Sequence, residues 1–168
     1  MNNKINTKID DYKLRFAEEK DVSLLYNLIM ELAAYESLEH QVKATEEILK
    51  ESIFQRKAAE AIILEYQDNA IGYIILFENF STFTGLPGIY IEDLYIKPEM
   101  RGKGFGKVAL SFIANLALER NCGRVEWSCL NWNIPSIKFY KGLGAKPMDE
   151  WTIYRLAGEE IKNLADNS

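Results

Sequence analysis

An α/β fold is predicted for this chain: a mixed, mostly antiparallel central sheet flanked by helices. Three observations predict it. Residues 61–66 and 71–80 are apolar, β-branched-rich runs joined across Asp68 and Asn69, the pattern of a hairpin. Residues 89–96 form another such run, stopped by Pro98, and are followed by apolar positions at helical spacing and then by a short strand at 124–129, the pattern of a strand–helix–strand crossover. No internal repeat, low-complexity tract or linker interrupts the chain, so hairpins and crossovers share one sheet. At 168 residues, one domain is the default, set here at 12–168 behind a loose leader at 1–11.

The elements follow in order. Residues 12–16 alternate as a strand, and Asp21 then precedes Val22, Leu25, Leu28, Ile29 and Leu32, the apolar face of a helix. Thr45 can cap a second helix reaching about Phe54. After the hairpin, residues 81–88 carry two Gly and a Pro and read as a loop. Phe105, Ala109, Phe112, Ile113 and Leu116 mark one face of a helix ending near Asn121, and Gly123 turns the chain. Residues 135–143 read as a short helix with Pro135 in its first turn and Gly144 as its cap, and residues 151–156 as a last strand.

Composition narrows the function. Hydrophobic residues are 48% of the chain and charged residues 27%, enough apolar side chain to bury a core and far from disorder. The longest apolar runs are a handful of residues, so no membrane span is expected, and the polar start from Met1 to Lys13 reads neither as a signal nor as a transit peptide; a cytoplasmic location is the expectation. A net charge of −5 removes the electrostatic support that non-specific nucleic-acid binding needs and suits a cationic ligand better. His40 is the single histidine, and Cys122 and Cys129 read as buried free thiols, so neither a metal centre nor a histidine-based hydrolase is expected.

The sharpest local feature is Arg101-Gly102-Lys103-Gly104-Phe105-Gly106, set between a strand and an amphipathic helix. Small residues let backbone N–H groups approach an anion, and a helix start adds unpaired donors with partial positive charge, so a pyrophosphate fits there. Two familiar phosphate loops are excluded by spacing. A dinucleotide fingerprint would need Gly at 107, where Lys107 stands, and a Walker loop would need Ser or Thr at 108, where Val108 stands.

The loop resembles that of the GNAT superfamily of acetyl-CoA-dependent N-acetyltransferases, which reads R/Q-x-x-G-x-G, here Arg101, Gly104 and Gly106. The run from Asn133 through Pro135 and Ser136, followed by Phe139-Tyr140-Lys141-Gly142-Leu143-Gly144, is similar to the segment lining the far side of the CoA arm in that superfamily. Glu31 to Glu36, Ile91-Glu92-Asp93-Leu94 and Glu150-Trp151 look like the diamine and spermidine/spermine branch. Ala34, where polyamine enzymes carry Lys, and Ser81-Thr82-Phe83-Thr84, which lacks their Asp and Trp, look more like the sister branch that acetylates thialysine.

The resemblance implies acetyl-CoA as co-substrate, without metal, held by Arg101, Gly102, Lys103, Gly104, Phe105, Gly106 and Lys107 at the pyrophosphate. Backbone groups of Leu94, Tyr95 and Ile96 would hold the pantetheine arm, with Asn133, Pro135, Ser136 and Tyr140 opposite. The acceptor would be a small cationic amine lying against Tyr35, Glu36, Glu92 and Asp93, with Glu150 and Trp151 reaching across a homodimer. Such an amine, with a pKa of about 10.4, is only roughly 0.04% free base at pH 7, and reaching that form costs about 4.6 kcal/mol. A carboxylate that binds the cation and passes its proton to water is therefore worth having, and Glu92 is the candidate, on one strand face with Tyr90, Leu94 and Ile96, while Asp93 faces the other way unless a bulge re-aims it. Tyr140 would act as the general acid toward the leaving thiolate, as the family assigns to its matching tyrosine. Transfer would be direct, in a ternary complex. The alternatives are a protein lysine or N-terminal acetyltransferase and a CoA-binding module without turnover.

Overall fold

The computed structural model describes residues 4–167. Among them a sheet runs in the order β1 (Lys4–Asn6), β2 (Tyr12–Phe16), β3 (Glu60–Tyr66), β4 (Asn69–Ser81), β5 (Leu86–Ile96) and β6 (Val125–Trp127). Neighbours are antiparallel except β5 and β6, which run parallel because α3 (Phe105–Glu119) carries the chain between them. The mixed, mostly antiparallel α/β sheet is as the sequence predicts.

Alternation along the strands gives the sheet two buried faces. One packs Ala61, Ile63, Tyr73, Ile75 and Tyr95 against Leu25 and Leu28 of α1 (Val22–Glu36) and Ile53 of the second helix. That helix starts as α2 (Glu46–Leu49), with Thr45 Oγ1 accepting the Ile48 N–H, and continues as a wider π turn over Lys50–Gln55. The other face belongs to α3, whose Phe105 ring lies 4.5 Å from Tyr12 and 5.0 Å from Tyr66, with Phe112 6.4 Å from Phe16.

Several elements differ from the reading above. The β3–β4 turn sits at Gln67 and Asp68, both at positive φ, as a two-residue hairpin with right-handed strand twist requires, and Asn69 already opens β4. The 81–88 loop shrinks to 82–85, because the ladder continues through Phe80↔Pro87 to Ser81↔Leu86. Residues 4–6, placed within the leader, pair with β2 as β1, so that part of the leader is not loose. Residues 151–156 form no strand: they pair with no strand among the described residues. Instead α4 (Ile134–Gly142) is followed by α5 (Glu159–Ala165), which the sequence reading lacks. Cys122 and Cys129 are half-buried rather than buried.

The chain forms two compact units, Met1–Ser128 and Cys129–Ser168. Within the first, the Arg15 guanidinium ties β2 to β3 and to the residue before α1, donating to Asp21 at 2.7 and 2.9 Å and to Glu65 at 2.7 Å in a largely buried triad. Burial alone would raise the Asp21 pKa, but the Arg15 bonds and the Glu18 N–H outweigh it and hold it below the ordinary value. Arg15→Ala removes the cation shared by two buried carboxylates and is expected to cost about 3–5 kcal/mol in denaturant unfolding. Because the folded pKa is depressed, the Asp21 contribution is present above pH ~4 and lost as pH falls through the folded value, so the gap between wild type and variant should narrow in acid.

Candidate active site

The pyrophosphate loop leaves β5 through a short turn at Pro98–Met100 and enters α3. Gly102 and Gly104 sit at φ +76° and +87°, a region costly for a residue with a Cβ. Among the described residues, no backbone acceptor takes the N–H groups of Gly102, Lys103, Gly104, Phe105, Gly106 or Lys107. Phe105 turns its side chain into the core, so its part in an anion site is its backbone, while the Lys103 and Lys107 side chains are exposed. Free donors on a helix start, with two cations beside them, fit a pyrophosphate. Gly104→Val would force a β-branched residue into the left-handed region, so acetyl-CoA affinity is expected to fall more than tenfold, about 1.4 kcal/mol, in calorimetry.

Ahead of the loop, β5 carries a bulge. Leu76 pairs with Ile91 and Ile75 with Asp93, leaving Glu92 as the extra residue. The bulge turns Asp93 onto the α1 face, with Tyr73 and Tyr95. Glu92 is exposed, and Tyr90, its ring tilted at 5.2 Å from that of Phe77, lies on the α1 face, opposite Leu94 and Ile96. The expected shared face of Glu92 with Tyr90, Leu94 and Ile96 is therefore corrected, for an unbulged alternation does not hold here. The ladder to β6 ends at Ile91↔Trp127, so residues 92–96 have no paired strand on that side among those described. An open edge of this kind can hold an extended amide-bearing arm along Leu94, Tyr95 and Ile96.

Acidic groups converge beside it. Tyr73, wholly buried, donates its hydroxyl to Asp93 Oδ2 at 2.9 Å. Burial pushes the Asp93 carboxyl up to about 6, the Tyr73 bond pulls it down, and the neighbouring charges of Glu92 and Glu36 raise it again. Glu36, at the end of α1, is itself raised by burial. Tyr73 was missed in the sequence because a tyrosine inside an apolar strand reads as core; only the register after the bulge shows its partner. Tyr95 donates to Glu31 at 3.2 Å and its hydroxyl is pushed up to about 12, chiefly by burial. Lys97 lies 3.1 Å from the other Glu31 oxygen.

The second unit carries the remaining predicted residues. Asn133 is buried and caps α4 by accepting the Ser136 N–H at 3.3 Å, Pro135 occupies the first turn, and the Gly144 N–H closes the end on Lys141 at 3.0 Å. Tyr140 stands one turn after Ser136 and 5.4 Å from the Phe139 ring, and burial, with Cys129 adding, pushes its hydroxyl up to about 12. Glu150 and Trp151 are exposed in the segment without strand. Among the described residues no group of three or more His, Cys, Asp or Glu side chains could hold a metal, and no helix is long and apolar enough to cross a membrane.

The Acetyltransferase (GNAT) family matches residues 24–145, which include the bulge, the glycine loop and Tyr140. The chain belongs to the GNAT acetyltransferase family. It is 35% identical to the thialysine N-epsilon-acetyltransferase of Bos taurus, over 90% of this chain and 96% of that protein. It is 27% identical to an L-ornithine N5-acetyltransferase of Arabidopsis thaliana, over 90% and 87%. The crystal structure of an integron cassette protein from the mobile metagenome of V. cholerae shares the fold, with a TM-score of 0.78 at 24% identity over 92% of this chain and 98% of that one. This GNAT enzyme is thus an N-acetyltransferase that transfers acetyl to an amine, and acetyl-CoA is the co-substrate of its family.

Proposed function

We propose that this GNAT enzyme acetylates the primary amine of a small cationic acceptor of the thialysine, ornithine or diamine kind, by direct transfer in a ternary complex. The observation that carries the reading is the acidic set of Glu36, Glu92 and Asp93 beside the open edge of β5, built around a carboxyl pushed up to about 6. The names of the relatives support it: both cited proteins are named for acetylating a side-chain amine of a small amino acid. Acetyl-CoA, when bound, supplies the acetyl group as a thioester. The N–H groups of residues 102–107 hold the pyrophosphate, and backbone groups of Leu94, Tyr95 and Ile96 hold the arm and polarise the carbonyl.

Tyr35, Glu36 and Glu92 attract and orient the ammonium, and Asp93, in place of the Glu92 expected from the sequence, takes its proton, a carboxylate poised near neutrality being suited to accept one and release it to water. The Tyr140 hydroxyl serves the leaving sulfur. Asn133, Pro135 and Ser136 shape and place the helix that carries it. The functional domain in this reading is 12–168, within which the family match at 24–145 runs into both compact units. Purified protein given acetyl-CoA with thialysine, lysine, ornithine, diamines, spermidine and a lysine peptide, read by product mass, tests it. Product with the peptide alone would shift the reading to a protein acetyltransferase, and no product with CoA bound would leave a CoA-binding module.

The reading includes a homodimer in which Glu150 and Trp151 serve the partner's acceptor site, a carboxylate beside an aromatic face suiting an ammonium. Mixing Tyr140→Phe with Trp151→Ala subunits, each weak alone, is expected to restore part of the activity. Proven heterodimers without rescue would defeat the shared site.

A further inference from the structure

The first residue of the glycine loop does not simply extend toward an anion. The Arg101 guanidinium carbon lies 4.1 Å from the centre of the Tyr35 ring and 5.8 Å from that of Tyr95, while its Nε–H donates to the Ile96 carbonyl at 2.8 Å. One planar group thus ties the last turn of α1 to the end of β5 at the point where the loop begins. The contact is reinforced one helical turn back: Glu31, four residues before Tyr35, accepts from the Tyr95 hydroxyl and pairs with Lys97. The Arg101 N–H in turn closes the Pro98–Met100 turn on the Pro98 carbonyl at 3.2 Å. Side chain and backbone of Arg101 therefore both fix the direction in which the chain enters Gly102.

We propose that Tyr35 is a positioning residue for acetyl-CoA as well as a wall of the acceptor site: its ring holds the Arg101 guanidinium, which sets the entry of the phosphate loop. The proposal rests on the reading of residues 101–107 as the pyrophosphate site. A lysine at 101 would keep the charge but lose the flat face and the fixed Nε–H, so it cannot stack on Tyr35 and bond Ile96 in the same way. Tyr35 reaches the cofactor side through Arg101, and Glu36, the next residue, belongs to the acidic set, so one end of α1 serves both substrates.

The test is acetyl-CoA affinity by calorimetry, with thermal unfolding alongside, for wild type, Tyr35→Phe, Tyr35→Leu, Arg101→Lys and the double variant Tyr35→Leu/Arg101→Lys. Tyr35→Phe, which keeps the ring, is expected to bind within about twofold of wild type. Tyr35→Leu and Arg101→Lys are each expected to bind about three- to tenfold more weakly, the scale of one cation–π contact. The double variant is expected to lose no more than the weaker single one, because both remove the same contact. Wild-type affinity in Arg101→Lys would make Arg101 a plain charge for phosphate and overturn the proposal, as would wild-type affinity in Tyr35→Leu or a double variant whose loss is the product of the two. If Tyr35→Leu does not fold, Tyr35→Phe and Arg101→Lys still decide. Wild-type protein that fails to bind acetyl-CoA would instead overturn the loop reading itself.

Discussion

Tyr140→Phe is expected to lower turnover about 10² to 10³-fold while acetyl-CoA affinity changes less than about threefold, the signature of a group that acts in the transition state rather than in binding. Phenylalanine keeps the ring beside Phe139, so the ring packing is retained. The pKa of the hydroxyl defines its role. Burial, with Cys129 adding, pushes it up to about 12, whereas a thiol of the CoA kind titrates near 8.5. Giving the proton outright to such a thiolate is uphill by about 3 to 4 pKa units, on the order of 5 kcal/mol. In the proposed mechanism Tyr140 therefore works as a hydrogen-bond donor to sulfur while negative charge builds on it, a narrower role than the general acid implied by the resemblance. Because the hydroxyl keeps its proton at every physiological pH, it should contribute no alkaline limb to the rate below about pH 10. Single-turnover rates across pH, with calorimetry on the same variant, check both expectations; equal losses in binding and rate would make Tyr140 a wall of the CoA site instead.

Much of this was legible in the residues, and the failures have physical causes. The glycine loop was readable because positive φ and free N–H groups leave a compositional trace at a strand–helix junction, and Gly102 and Gly104 have that backbone. The strands of the hairpin were readable from apolar runs, but not the turn residues, since Gln67 and Asp68 reach positive φ without the glycine that usually marks such turns. An alternation at 151–156 mimics a strand, yet a strand needs a neighbour, which no local pattern supplies. The bulge at Glu92 is foreseen from the sequence only as a condition on where Asp93 faces, and its presence cannot be read there. A single extra residue reverses the faces on either side of it, and nothing in Ile91-Glu92-Asp93-Leu94 distinguishes a bulged from a regular run. Contacts far apart in sequence, Tyr73 with Asp93 and Tyr35 with Arg101, depend on that register and on the docking of α1, so they appear only in three dimensions.

Asp93→Asn is the variant that most sharply separates chemistry from structure, because activity and stability are expected to move in opposite directions. The amide can still accept the Tyr73 hydroxyl, so the local fold should persist, but it cannot take a proton, and kcat/KM should fall by about 10² to 10⁴. In wild type, the limb of kcat/KM on the acid side should lie near the Asp93 value of about 6; in the variant that limb should vanish, with partial recovery at high pH as free amine becomes available. The stability sign follows from the same shift. Burial raises this carboxyl from 3.8 in the unfolded chain to about 6 in the folded one, so between those values the folded state binds more protons, and folding weakens as pH rises through that window. Above it, carrying the buried charge costs about 3 kcal/mol, a penalty that asparagine escapes. The variant should therefore unfold at higher denaturant than wild type at pH 7, and the difference should shrink as pH is lowered toward 4. Removing a neighbouring like charge with Glu36→Gln or Glu92→Gln should lower the Asp93 pKa and carry the wild-type limb below 6. A limb near 6 that survives Asp93→Asn, with the rate intact, would show that the proton of the acceptor leaves by another group, with Glu92 the first to test.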